Sequence, residues 1–175
     1  MSDANKNTTD HKALVKAAIH QYLSGETQET ALEFVEYLHE NDMTTVTHPH
    51  LFGNLKYICK IKQGNYYPSW ILIEEGKWHF EIFNYSQFET QSDDDADFIA
   101  FVNSQVKSCT HCHEPGCGDL PDNTVVFGET VPMLCFQHSN GIKNPTVKDL
   151  EHFKKLLAYS KDIVHNERIW HPNHL

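Results

Sequence analysis

Arginine is nearly missing from this sequence: Arg168 is the only one, and Lys plus Arg total 14 against 24 acidic residues. A formal net charge of −10 with no basic cluster leaves nothing to neutralise a phosphate backbone or an anionic lipid surface, so neither nucleic acid nor membrane is expected as a partner. Long apolar runs are missing too. The longest, such as Trp70-Ile71-Leu72-Ile73, spans a few residues, far short of the roughly 20 that a transmembrane helix needs. Met1 to Asp10 is polar and carries no apolar segment behind a basic one, so no export or transit signal is legible and a soluble, cytoplasmic protein is expected. Cysteine is scarce and odd in number, five in all, which fits a reducing compartment with thiols or metal ligands better than a secreted disulfide framework. No H-E-x-x-H, G-x-S-x-G or P-loop string occurs, and no catalytic residue is assigned.

What is present is enough apolar and aromatic material, 39% and 11% of 175 residues, to build one core. No repeat or low-complexity linker divides the chain, so residues 1–175 are expected to form a single α+β domain, with flexible tails at 1–10 and 166–175. Behind Asp10, the residues Leu14, Val15, Ala18, Ile19, Tyr22 and Leu23 recur at helical spacing until Ser24-Gly25. Thr30 and Glu33 stand in capping-box spacing ahead of a second stripe of Ala31, Phe34, Val35 and Leu38, which predicts a helical hairpin.

The period then changes to two. Met43 to Thr47 reads as a short edge strand broken by His48-Pro49-His50. From Leu55, the residues Leu55, Tyr57, Cys59 and Ile61 alternate with Lys56, Lys60 and Lys62. Turns at Gly64-Asn65 and Glu75-Gly76 lead into Tyr67–Glu74 and Lys77–Asn84, giving a three-stranded antiparallel meander in which Trp78, Phe80 and Ile82 share a face. The acidic run from Asp93 to Asp97 suits the N-terminus of a third helix bearing Phe98, Ile99, Val102 and Val106. It lacks the alternation and the glycine of a calcium loop. Thr124–Phe127 and Val131–Phe136 flank Gly128-Glu129 as a second hairpin, and Asn144-Pro145 opens a last helix with Leu150, Phe153, Leu157 and Val164 on its buried side.

The densest chemistry lies at Cys109-Thr-His-Cys112-His-Glu-Pro-Gly-Cys117-Gly. A Cys-x-x-Cys knuckle brings two thiolates to one ion from a tight turn, and Pro115-Gly116 and Gly118 allow the bend that returns a third. Cys135, on the second hairpin, supplies a fourth from a separate chain segment. Residues 108–138 are therefore expected to hold one structural zinc ion through Cys109, Cys112, Cys117 and Cys135, with His111, His113 or His138 as replacement donors. Cys59 reads as a small buried hydrophobe. The string also matches the Cys-x-x-Cys-His of covalent haem attachment, but no export signal accompanies it and two further cysteines would have no role. The order of spacings is the reverse of a plant-type iron–sulfur site. The CxxC here follows a helix, whereas a thioredoxin-like pair opens one.

The CxxC, the third cysteine, Val126-Phe127-Gly128-Glu129, Cys135, Asn144-Pro145 and a Leu-rich closing helix together resemble a family of uncharacterised small bacterial proteins with a CxxC…C…C pattern, over the last third of the chain and the preceding meander. The resemblance implies Cys135 as the fourth ligand and implies no activity.

Two function classes follow. A four-thiolate zinc is closed and ties chain together, which favours a small-ligand-binding, protein-binding or regulatory module. Its surface would be the sheet face bearing Lys56, Lys60, Lys62, His79 and Glu81, with Tyr66 and Tyr67 nearby. The alternative is a small enzyme whose acid/base pair is His79 and Glu81, away from the zinc. An unpaired edge strand would offer homodimerisation by sheet extension.

Overall fold

The computed structural model describes residues 10–49, 55–63, 66–82, 95–106, 123–132 and 141–164. The order of elements is α1 (His11–Tyr22), α2 (Gly25–Glu40), β1 (Thr44–Pro49), β2 (Leu55–Gln63), β3 (Tyr66–Glu74), β4 (Lys77–Ile82), α3 (Ala96–Gln105), β5 (Asn123–Val126), β6 (Glu129–Pro132), β7 (Ile142–Lys143) and α4 (Val147–Val164). The architecture is α+β, with an antiparallel five-stranded sheet in the order β1-β2-β3-β4-β7 and a separate two-stranded sheet, β5-β6. The meander thus has four strands, and the late strand β7 widens the sheet on the β4 side.

Helix α1 starts where the side chain of Asp10 accepts the Ala13 N–H at 3.0 Å, satisfying one of the donors a first turn leaves over. Val15, Ala18 and Ile19 are its buried stripe, while Leu14 stays 38% exposed at the edge of that stripe. Helix α2 begins five residues before the Thr30 position that its capping-box spacing suggested. Ser24 precedes it, Gly25 takes φ +58°, and the Thr30 hydroxyl donates back to the Glu26 carbonyl from inside the helix. A threonine that bonds one turn back is compatible with a helix interior, so the spacing alone did not mark the start.

Within the sheet the period of two decides what is buried. Ile61, Ser69, Ile71, Ile73, Trp78, Phe80 and Ile82 lie on the core side with Thr45 and Thr47. The helices bring Phe34, Val35, Leu38, Phe98, Val102, Leu150, Phe153, Leu156 and Leu157 onto that side. Phe80 is the hub, its ring centroid 4.8 Å from Phe34 and 4.1 Å from Phe153, both edge-on. Such pairs add about 1 kcal/mol beyond the area they bury. Helix α3 is capped by Asp95, which accepts the Phe98 N–H at 2.7 Å. Its buried stripe is Phe98, Val102 and Gln105, with Ile99 and Val106 only partly covered.

Two left-handed residues make the β5-β6 turn, Phe127 at φ 46° and Gly128 at φ 83°, the conformation of a tight two-residue hairpin. Phe127 is nevertheless buried, against Phe98 at 5.6 Å and Tyr159 at 6.0 Å. Helix α4 starts at Val147, not at Pro145. Asn144 sits at φ 47°, its N–H donating to the Trp78 carbonyl at 2.7 Å and its Oδ1 accepting the Trp78 N–H at 2.9 Å. Asn144 therefore prolongs the β4-β7 pairing, and the cap passes to Thr146, whose N–H and hydroxyl donate to Asp149 Oδ2 while its Oγ1 accepts the Asp149 N–H.

On the outer strand β1, the Thr47 N–H donates to His11 Nδ1 at 3.2 Å, and both Thr45 and Thr47 are buried. That edge position is occupied by an imidazole from α1. No described helix is long and apolar enough to cross a membrane.

Candidate functional site

The face of the sheet opposite the core follows from the same alternation and from the register. Val46 stands opposite Lys60, Lys60 opposite Trp70, and Trp70 opposite Glu81, one row across four strands. In the next row Leu72 pairs with His79 and His79 with Lys143; Glu74 faces Lys77 beside the turn. Val46, Lys60, Trp70, Leu72, Glu74, Lys77, His79 and Glu81 are all half-buried. This is not the freely solvated back of a sheet: an apolar strip of Trp70 and Leu72 runs down the middle, with ionisable groups along its β4 flank.

Three of those groups have distinct electrostatic environments. Glu74 places Oε2 2.9 Å from Lys77 Nζ and Oε1 2.9 Å from His79 Nε2, the second contact having ion-pair distance without hydrogen-bond alignment. The Lys77 hydrogen bond holds the Glu74 carboxyl below the usual value, with His79 assisting. Burial pushes His79 below its ordinary value, against the pull of Glu74 and with the aid of Lys143 and Lys77. Burial alone pushes Glu81 upward. Glu81 also rests on backbone: a Cβ at Gly141, itself at φ +57°, would lie 3.1 Å from Glu81 Cγ and 3.3 Å from the Phe80 carbonyl. Across the row, the Lys60 ammonium sits 5.3 Å from the centre of the Trp70 ring, a cation–π distance.

His79 and Glu81 thus occupy the same non-core face, as their alternation with Trp78, Phe80 and Ile82 foretold. The structure does not join them to each other; it joins His79 to Glu74. The sequence contained that partner, because Glu75-Gly76 sets Glu74 opposite Lys77 and so leaves His79 on the diagonal. Trp70 and Leu72 also went unremarked as surface residues, hidden in an apolar run that reads as core. Lys60 is in place on this face. The side chains of Lys56, Lys62, Tyr66, Tyr67 and Cys59 lie outside the described residues.

So do Cys109, Cys112, Cys117 and Cys135, with His111, His113 and His138. Cys135 lies past the described part of hairpin β5-β6, which runs to Pro132. Among the described residues no group of three or more His, Cys, Asp and Glu side chains is arranged to hold a metal ion. The remaining described clusters tie elements together. Lys12 and Lys16 both pair with Glu36, whose carboxyl falls to about 2, and Asp97 joins Lys148 at 2.7 Å beside His152.

No protein-family model, curated protein or solved structure matches the chain.

Proposed function

We propose that this chain is a zinc-stabilised binding module whose ligand surface is the non-core face of the five-stranded sheet. The observation that carries the reading is the row Lys60–Trp70–Glu81 with Leu72 and His79 beside it, which combines half-buried apolar area with a few oriented polar groups. Recognition surfaces have that composition: apolar atoms supply affinity on leaving water, and sparse polar groups fix orientation. Ligand screening by ¹H–¹⁵N correlation spectra tests it. Bound molecules are expected to shift the amides of Trp70, Leu72, His79 and Glu81, and Leu72→Lys to weaken binding without unfolding the chain. Hits that shift only helix amides would refute the assignment.

The zinc belongs to the same reading. The chain enters the Cys109–Cys117 segment from α3 and reaches Cys135 from β6, and α3 packs against the β5-β6 turn through Phe98 and Phe127. The two elements that lead into the cysteine segments therefore belong to one packed unit, which lowers the entropy cost of a shared ion. Elemental analysis of protein prepared under reducing, chelator-free conditions is expected to give one zinc per chain. Cys112→Ser and Cys135→Ser should lose it and Cys59→Ser keep it; full zinc in Cys135→Ser would transfer the fourth position to a histidine.

One observation favours the second reading, a small enzyme. Lys77 holds the Glu74 carboxyl below its usual value beside a His79 that burial also lowers, while burial raises Glu81. Neighbouring groups whose protonation is pushed apart are the raw material of acid–base catalysis. Turnover of any substrate that His79→Gln abolishes with the fold intact would promote this reading.

A further inference from the structure

Among the described carboxylates, Glu36 and Glu74 have lysines at hydrogen-bond distance. Glu81 has no cation at ion-pair distance among the described residues, and burial alone raises it. Removing a carboxylate from water without a counter-charge is costly, and a strongly acidic chain has no shortage of exposed positions for one. Glu81 also lies against the Gly141 backbone, and Trp70 is its cross-strand register partner. On the far side of Trp70, the Lys60 ammonium already lies near the ring, an in-chain example of a lysine head group on this aromatic. Leu72, two positions along the same strand face, continues the apolar strip on which an alkyl stem could lie.

We propose that Glu81 and Trp70 form a receptor for the lysine side chain of a protein partner, the ammonium going to the Glu81 carboxylate and the ring, the stem to Leu72. The assignment rests on the sheet face being the binding surface and names what binds there. A cation fits because an ammonium would supply the counter-charge that no described residue gives Glu81, and the chain's net charge of −10 favours the approach of cationic partners. Lys60 competes for the same ring, so the site is partly self-occupied.

The experiment is an NMR titration with Nα-acetyl-lysine N-methylamide, using the norleucine analogue as a stem without charge and the glutamate analogue as a charge reversal. The lysine compound is expected to shift the Trp70 indole and the Glu81 and Leu72 amides, with affinity on the order of 1 mM for so small a probe, and to bind at least about tenfold tighter than norleucine. Glu81→Gln should abolish that preference while leaving the spectrum dispersed, and Lys60→Gln should tighten lysine binding several-fold. Equal binding of lysine and norleucine overturns the ammonium assignment while leaving the face as a binding surface. Preference retained in Glu81→Gln overturns the role of Glu81, and unchanged affinity in Lys60→Gln removes Trp70. If none of the three compounds shifts this face, the proposal falls together with the reading beneath it.

Discussion

Asn144 shows how much a single side chain decides here. At φ 47° it lies in a region that asparagine enters more readily than most residues, and there it both gives and takes a hydrogen bond with the Trp78 backbone. Asn144→Ala would strand the Trp78 N–H and keep the backbone strain, so a loss of about 1–3 kcal/mol is expected, read as a lower denaturation midpoint with unchanged slope. Gly141 is constrained in the same neighbourhood. Its positive φ strains any residue with a side chain, and at 3.1 Å from Glu81 Cγ and 3.3 Å from the Phe80 carbonyl an added methyl group would crowd both by a few tenths of an ångström. Gly141→Ala is expected to destabilise the protein and to shift the Glu81 and Phe80 amides, whereas Gly76→Ala meets strain but no neighbour.

At the scale of elements, the β5-β6 hairpin is fastened by its own turn. Phe127 accepts a left-handed conformation that costs a residue with a Cβ about 1–2 kcal/mol, and its ring is buried between Phe98 and Tyr159. Burial must exceed that strain for the turn to persist. Phe127→Ala keeps the strain and loses the ring, so a cost of about 3 kcal/mol is expected, roughly a ten-degree fall in the thermal midpoint for a chain of this size. Hydrogen exchange should then speed up first in 123–132. A midpoint within a degree or two of wild type would mean that the hairpin is not fastened to α3 and α4. The helix caps are smaller contributions of the same kind. Asp95→Ala, which frees the Phe98 N–H, is expected to cost about 1 kcal/mol.

For the molecule as a whole, protonation should set a stability profile with two descents. His39 and His79 are both lowered by burial from an ordinary value of 6.5. The unfolded chain then binds their protons first, and stability falls as pH drops below about 6.5. Glu36, Glu74 and Asp97 are lowered by lysine partners; their contribution is present above the ordinary carboxylate range and disappears as pH falls through the folded values. Glu81 acts in the opposite sense. Raised by burial from 4.5, it favours the fold most when protonated, and that contribution is lost as pH rises through its folded value. Thermal midpoints between pH 4 and 8 check both signs. Glu81→Gln should gain on wild type as pH rises, and His79→Gln should flatten the descent below pH 6.5. A Glu81→Gln difference independent of pH would mean that the carboxyl is solvated.

Local spacing sufficed for what depends on neighbours in the chain. The stripe Phe34, Val35, Leu38, the alternation Trp78, Phe80, Ile82 and the turn at Glu75-Gly76 each carry their own period, because burying one side of a helix or strand demands it. The α+β class and the shared face of His79 and Glu81 were legible for the same reason. Element starts were less so: Thr30 and Pro145 offered start signals whose use depended on groups elsewhere, the Glu26 carbonyl in one case and the Trp78 backbone in the other. What only the tertiary structure decided was pairing between distant segments. β7 joins β4 across some sixty residues of sequence, Glu81 finds the Gly141 backbone beneath it, and His11 takes the Thr47 N–H. No local period encodes such contacts. They arise when separately amphipathic elements close on one core, and that closure fixes which polar groups are paired and leaves Glu81 without a counter-charge among the described residues.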